Sequence, residues 1–135
     1  MEKAVVPSDR KPILIVVAGP NGSGKTTITS KILHHKWLED SVYIVCTESP
    51  AINAARIANR VIKGGHDVPI TKIVSRYQKS ISNCKYLSKI VHRAYLYDNS
   101  KDGEEASILI RLANGKIVKR YTDIMPRWAT KIIEE

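Results

Sequence analysis

The chain has 135 residues, 43% hydrophobic and 26% charged, the size and make-up of one domain with a single core over residues 1–135. No stretch approaches the roughly twenty apolar residues of a membrane span. The first eleven residues lack the apolar segment of a secretory signal, so the expected location is cytoplasmic, with no membrane partner. Cys46 and Cys84 have no C-x-x-C spacing and give no support to a disulfide framework or a zinc site. Twenty-two Lys and Arg against thirteen Asp and Glu leave a net charge of +9, which favours an anionic ligand. Nucleic acid is the disfavoured form of that anion, because zinc-finger spacing, RNP aromatics and a long basic tract are all missing.

Residues 1–11 read as a loose leader. Ile13 to Val17 of "ILIVVAG" is short and β-branched, which predicts a buried strand. A helix follows, with Ile28, Ile32 and Leu33 on its apolar face and His34, His35 and Lys36 at its negative end. "SVYIVCT" is a second strand. Ser49-Pro50 has the form of an N-cap followed by a first helical residue, and Ala51, Ala55, Ala58 and Ile62 recur at helical spacing as far as Gly64-Gly65. After the turn "GGHDVP", Ile70, Ile73, Val74, Tyr77 and Ile81 predict an amphipathic helix. Leu87, Ile90, Val91 and Ala94 predict another. "AYLYD" reads as a strand, "SILIRLANGKIVKRY" as a hairpin through Asn114-Gly115, and 126–133 as a closing helix.

Gly19-Pro20-Asn21-Gly22-Ser23-Gly24-Lys25-Thr26 fits G-x-x-x-x-G-K-[ST] between a predicted strand and a predicted helix, the context this phosphate-binding motif requires. In such a loop glycines let successive backbone N–H groups surround a phosphate at a helix N-terminus. The lysine, here Lys25, reaches the β and γ oxygens, and the hydroxyl of Thr26 is offered to Mg²⁺. Asn53, Arg56, Arg60 and Lys63 form a polar stripe on the helix after Pro50, and Lys72, Arg76 and Lys79 form one on the next helix. Like charges one turn apart cost a helix a few tenths of a kcal/mol per pair. The helix pair over residues 50–83 is therefore expected to act as a lid that brings Arg60 and Arg76 over a triphosphate, against the plainer reading of a solvated basic face. A carboxylate at the end of a strand would accept the proton of an attacking hydroxyl, and Glu48 and Asp98 are the two candidates; capping or surface roles compete with that reading for both. His66, in the turn, reads as a cap or a solvent-exposed residue ahead of a phosphate contact.

"AGPNGSGKTT", "INAARIANRVIKGGHDVPITKIVSRYQKSI" and "AYLYDNS" together resemble the zeta-toxin-like P-loop kinases, in particular a small bacterial branch described as predicted ATPases. Zeta toxins phosphorylate UDP-N-acetylglucosamine. The resemblance spans most of the chain. It implies a three-layer α/β P-loop domain with a short, mainly parallel sheet and a C-terminal hairpin, and ATP with Mg²⁺ as cofactors. The nucleotide would be held by Gly24, Lys25, Thr26 and Thr27, with Arg60 and Arg76 as phosphate contacts of the lid. The sequence also departs from the family. Its strand resembling "LEDSVYI" runs into an Asn-Pro-Asp stretch that carries the catalytic aspartate, and a later strand bears a Glu-Thr pair. Here Ile44 passes directly into Val45, and neither feature has a counterpart. Three readings follow: a kinase of a small hydroxylated acceptor such as a nucleotide sugar, with Lys25 and Glu48 as catalytic residues; a nucleotide-binding protein without transfer; or a basic regulatory or nucleic-acid-binding module. A sheet shortened beside the loop strand would leave an edge open to self-association.

Overall fold

The computed structural model describes residues 14–20, 22–32, 40–64 and 69–134, with the backbone alone for 30–32. The leader, Ile13, Asn21, Leu33 to Trp37 and His66 lie outside the described residues. The elements in chain order are β1 (Ile15–Ala18), α1 (Lys25–Ile32), β2 (Ser41–Cys46), α2 (Pro50–Ile62), α3 (Ile70–Ile90), β3 (Arg93–Asp98), β4 (Ser107–Ala113), β5 (Lys116–Arg120) and α4 (Arg127–Ile133). The strands form one sheet in the order of the sequence. β1, β2 and β3 run parallel, while β4 and β5 add antiparallel pairings. The fold is α/β with a mixed five-stranded sheet. Parallel and antiparallel pairings are equal in number among the described residues, where a mainly parallel sheet was expected, because the C-terminal hairpin supplies two of the five strands.

β2 is buried along its whole length. A strand with parallel neighbours on both sides and helices on both faces has no solvent side, which is why "SVYIVC" reads as a continuous apolar run. Val42, Ile44 and Cys46 face Tyr77, Ile81 and Cys84 of α3 and Trp128 and Ile132 of α4. Tyr43 and Val45 turn the other way, onto Ile28 of α1. Burial pushes the Cys46 thiol up to about 12 and the Cys84 thiol up to about 11, so both stay protonated at neutral pH and serve as core residues.

Two helix expectations change. The predicted pair of helices over 70–94 is one helix that ends at Ile90, after which Ala94 joins β3. No Gly or Pro interrupts it, and Ile73, Tyr77, Ile81, Cys84 and Ser88 continue one buried stripe at spacings of three and four. In α2 the predicted apolar face is on the outside: Ala51, Ala55 and Ala58 are exposed and Ile62 is 84% exposed. Asn53 and Ile57 are buried instead. Alanine gains little from burial, whereas Asn53 fits against the backbone of Gly22 and meets the Thr47 side chain. The Thr47 hydroxyl is shared between two acceptors, Asn53 Oδ1 and the Ser49 carbonyl at 3.1 Å, while the buried Asn53 side-chain N–H₂ has no partner among the described residues.

Asn114 and Gly115 have φ of 52° and 78°, the left-handed pair that a tight hairpin needs. α4 returns from the hairpin and inserts Trp128, 1% exposed, whose indole N–H donates to Asp98 Oδ2 at 2.7 Å. The other Asp98 oxygen accepts the Ser100 N–H at 3.0 Å. Trp128→Ala is expected to lower unfolding free energy by about 3–5 kcal/mol and Trp128→Phe by about 1–3 kcal/mol, the second chiefly because Asp98 loses a buried donor. Urea unfolding of both variants measures this. Equal stability of wild type and Trp128→Phe would show that the indole bond contributes nothing.

Candidate functional site

The glycine-rich loop leaves β1 at Ala18 and enters α1 at Lys25. Its path fixes two of its residues. Gly24 has φ of 104°, and a Cβ there would collide with the Asn99 side-chain amide. A Cβ on Gly19 would strike the Val45 carbonyl oxygen, since the loop passes directly over the end of β2. Ser23 is fully buried, and its N–H donates to the Pro20 carbonyl at 3.2 Å. Lys25 Nζ donates to the Gly19 carbonyl at 2.7 Å, so its ammonium folds back across the mouth of the loop. Thr26 and Thr27 stand exposed on the first turn of α1, at the positive end of the helix dipole.

Side chains from distant segments brace this loop. Arg56 of α2 donates through Nη1 to the Gly22 carbonyl at 3.0 Å and through Nη2 to the Asn99 carbonyl. Its Nε pairs with Asp102 Oδ1 at 3.1 Å. Asn99 donates its side-chain N–H to the Ser23 carbonyl at 3.0 Å and its backbone N–H to the Cys46 carbonyl at 2.9 Å. The planar guanidinium suits this task because its donors diverge in a fixed fork. Two carbonyls of the loop are thus held by groups on α2 and on the segment after β3.

A cleft of about 870 Å³ opens in front of the loop, lined by Gly22, Gly24, Lys25, Thr26 and Thr27. Arg56, Asn59 and Arg60 of α2 form one further wall, and Asn99, Lys101, Asp102 and Glu104 form another. The structure therefore brings together Gly22, Gly24, Lys25, Thr26, Thr27 and Arg60 from the predicted set, with Gly19 and Ser23 building the loop behind them. Asn21 lies outside the described residues. Arg76 is exposed on α3 and does not line the cleft. Glu48 is exposed and lines a different cavity, beside Tyr77 and Trp128. Asp98 has both oxygens engaged in holding Trp128 and Ser100.

Sequence reasoning placed Arg56 in a charged stripe without assigning it to the site, and it passed over Asn99 and Asp102. The signals were faint: Arg56 stands one turn before Arg60, and Asn99 immediately follows the strand "RAYLYD". The carboxylates that border the cleft, Asp102 and Glu104, belong to an exposed turn before β4. No described helix is long and apolar enough to cross a membrane. Comparison with protein-family models, with curated proteins and with solved structures finds no match for this chain.

Arg56→Ala is expected to cost about 1–3 kcal/mol of stability, the range for losing hydrogen bonds from a charged donor, and Arg56→Lys is expected to recover less than half. Urea denaturation of the two variants decides between a fork and a simple charge. Full recovery by lysine would mean that charge alone suffices.

Proposed function

We propose that the chain is an ATP-binding protein with a P-loop nucleotide site, of the kind its resemblance to zeta-toxin-like kinases implies. The observation that carries this reading is the position of Lys25 and Thr26, at the N-terminus of α1 and at the mouth of a cleft whose walls include Arg56 and Arg60. A triphosphate in that cleft would meet backbone N–H groups at the start of α1, the Lys25 ammonium and the Arg60 guanidinium. The bond from Lys25 to Gly19 supplies a resting partner that the ammonium exchanges for β and γ oxygens. Mg²⁺ suits the Thr26 hydroxyl, with phosphate oxygens and water completing its shell. Bound Mg²⁺ would neutralise charge on the terminal phosphates.

The transfer reading assigns the γ-phosphoryl group to a small hydroxylated acceptor, possible acceptors including a nucleotide sugar. The acceptor oxygen would bond to phosphorus as the bridging β–γ bond breaks, the nucleoside diphosphate would leave, and a carboxylate would take the acceptor's proton. Glu48 is the proposed base. A second reading, nucleotide binding without transfer, is favoured by two particular observations: Glu48 lines another cavity, and Asp98 is fully committed to structural bonds. The Ile44–Val45 junction, where the family carries its aspartate, lies inside one strand that pairs with β3 without a register shift from Ser41 to Cys46.

Arg60→Ala is expected to weaken Mg·ATP binding about tenfold, the scale of one charge-assisted contact. Fluorescence titration with a labelled ATP checks this, and Arg76→Ala beside it tests closure of the helix pair. Comparable loss in both variants supports a lid built from α2 and α3; loss in Arg60→Ala alone limits it to α2; unchanged affinity in both removes the lid. ATP turnover that falls in Glu48→Gln supports the transfer reading, and turnover unaltered by that change eliminates Glu48 as the base.

A further inference from the structure

A second cavity, of about 520 Å³, lies between α3, α4 and the turn that follows β2. Its wall contains Tyr77 and Ile81, each 7% exposed, and Trp128, 1% exposed. The polar ends of both rings are already bonded, Tyr77 to the Thr47 carbonyl and Trp128 to Asp98, so each ring is fixed in orientation; Tyr77 and Ile81 each keep a narrow accessible edge, while Trp128 packs beneath them with almost none. Lys85 of α3 and Arg127 and Lys131 of α4 contribute cationic groups to the same lining. Arg127 and Lys131 are one helical turn apart, which costs α4 a few tenths of a kcal/mol in the absence of an anion. The side chains of these three residues make no ion pair or hydrogen bond among the described residues. Glu48 and Glu134 are the carboxylates of the lining, leaving it with an excess of positive charge.

An orientationally fixed apolar floor bordered by several charged side chains, in a space of this size, has the features of a small-molecule site. We propose that this cavity binds an aryl phosphate monoester, its ring against the accessible edges of Tyr77 and Ile81 and against Pro50, and its phosphate on Lys85, Arg127 and Lys131. A phosphate monoester carries close to two negative charges near neutral pH, which suits a cluster of three cations better than a carboxylate does. The inference does not depend on nucleotide binding at the glycine-rich loop.

The test is a titration of the ¹⁵N-labelled full chain with phenyl phosphate, read at the Trp128 indole N–H resonance, in wild type, Lys25→Ala and Arg127→Ala/Lys131→Ala. A saturable shift is expected in wild type and unchanged in Lys25→Ala, with affinity at least about tenfold weaker in the double variant. Arg127 and Lys131 are exposed, so the double variant should keep its fold, and its remaining amide resonances verify that. Inorganic phosphate and benzyl alcohol, each with half of the proposed chemistry, are expected to bind at least about tenfold more weakly than phenyl phosphate. The absence of a saturable shift up to about 10 mM would overturn the proposal. So would loss of the shift in Lys25→Ala, which would place the phosphate at the glycine-rich loop, or equal binding of either control compound.

Discussion

One guanidinium joins three parts of the chain that are distant in sequence. Arg56 holds the Gly22 carbonyl, the Asn99 carbonyl and the Asp102 carboxylate together, and through them α2 and the segment after β3 are fastened to the glycine-rich loop. The loop has little freedom of its own to oppose this. Gly19 runs against the end of β2 and Gly24 against Asn99, with no room for a side chain at either place. A loop clamped in this way can hold its shape without bound phosphate, which lowers the ordering cost that binding would otherwise carry.

The clamp also explains which helix faces inward. An apolar count along α2 favours the alanine side. The structure buries Asn53 and Ile57 and turns Ala51, Ala55 and Ala58 to solvent. Periodicity measures hydrophobicity, and no single-residue scale contains the contact of Asn53 with Thr47 or the bond of Arg56 to the loop, both of which orient the helix. The strands were easier to read, except that β1, expected to be fully buried, is half-buried at one edge of the described sheet. β2 follows from an unbroken apolar run, the hairpin from Asn114-Gly115, and the loop from its glycines and Lys25. α3 was divided too early because its stripe passes through Cys84 and Ser88, residues that look like a break in an apolar pattern and are buried in the fold.

The residues that line the candidate cleft were legible where they are local. Gly22, Gly24, Lys25, Thr26 and Thr27 occupy one short stretch and line one cleft. Residues that reach the loop from elsewhere were not, since Arg56 and Asn99 are separated from it by thirty or more positions and carry no motif. The carboxylate question has the same origin. Glu48 and Asp98 both stand near strand ends, but packing of α4 draws Asp98 onto Trp128, and Glu48 lines the cavity on the α3 and α4 side. Two cavities thus lie near the ends of the parallel strands, the region where open α/β sheets place ligands. The cationic groups of one border the glycine-rich loop, and those of the other border fixed aromatic rings.

The most direct measurement of the central claim is a calorimetric titration of Mg·ATP into the purified chain, with Lys25→Ala as its control. The account predicts binding in the micromolar range that the variant loses. Absence of binding by the wild-type chain, or equal binding by Lys25→Ala, would contradict it, because the loop and its clamp would then exist without holding a nucleotide.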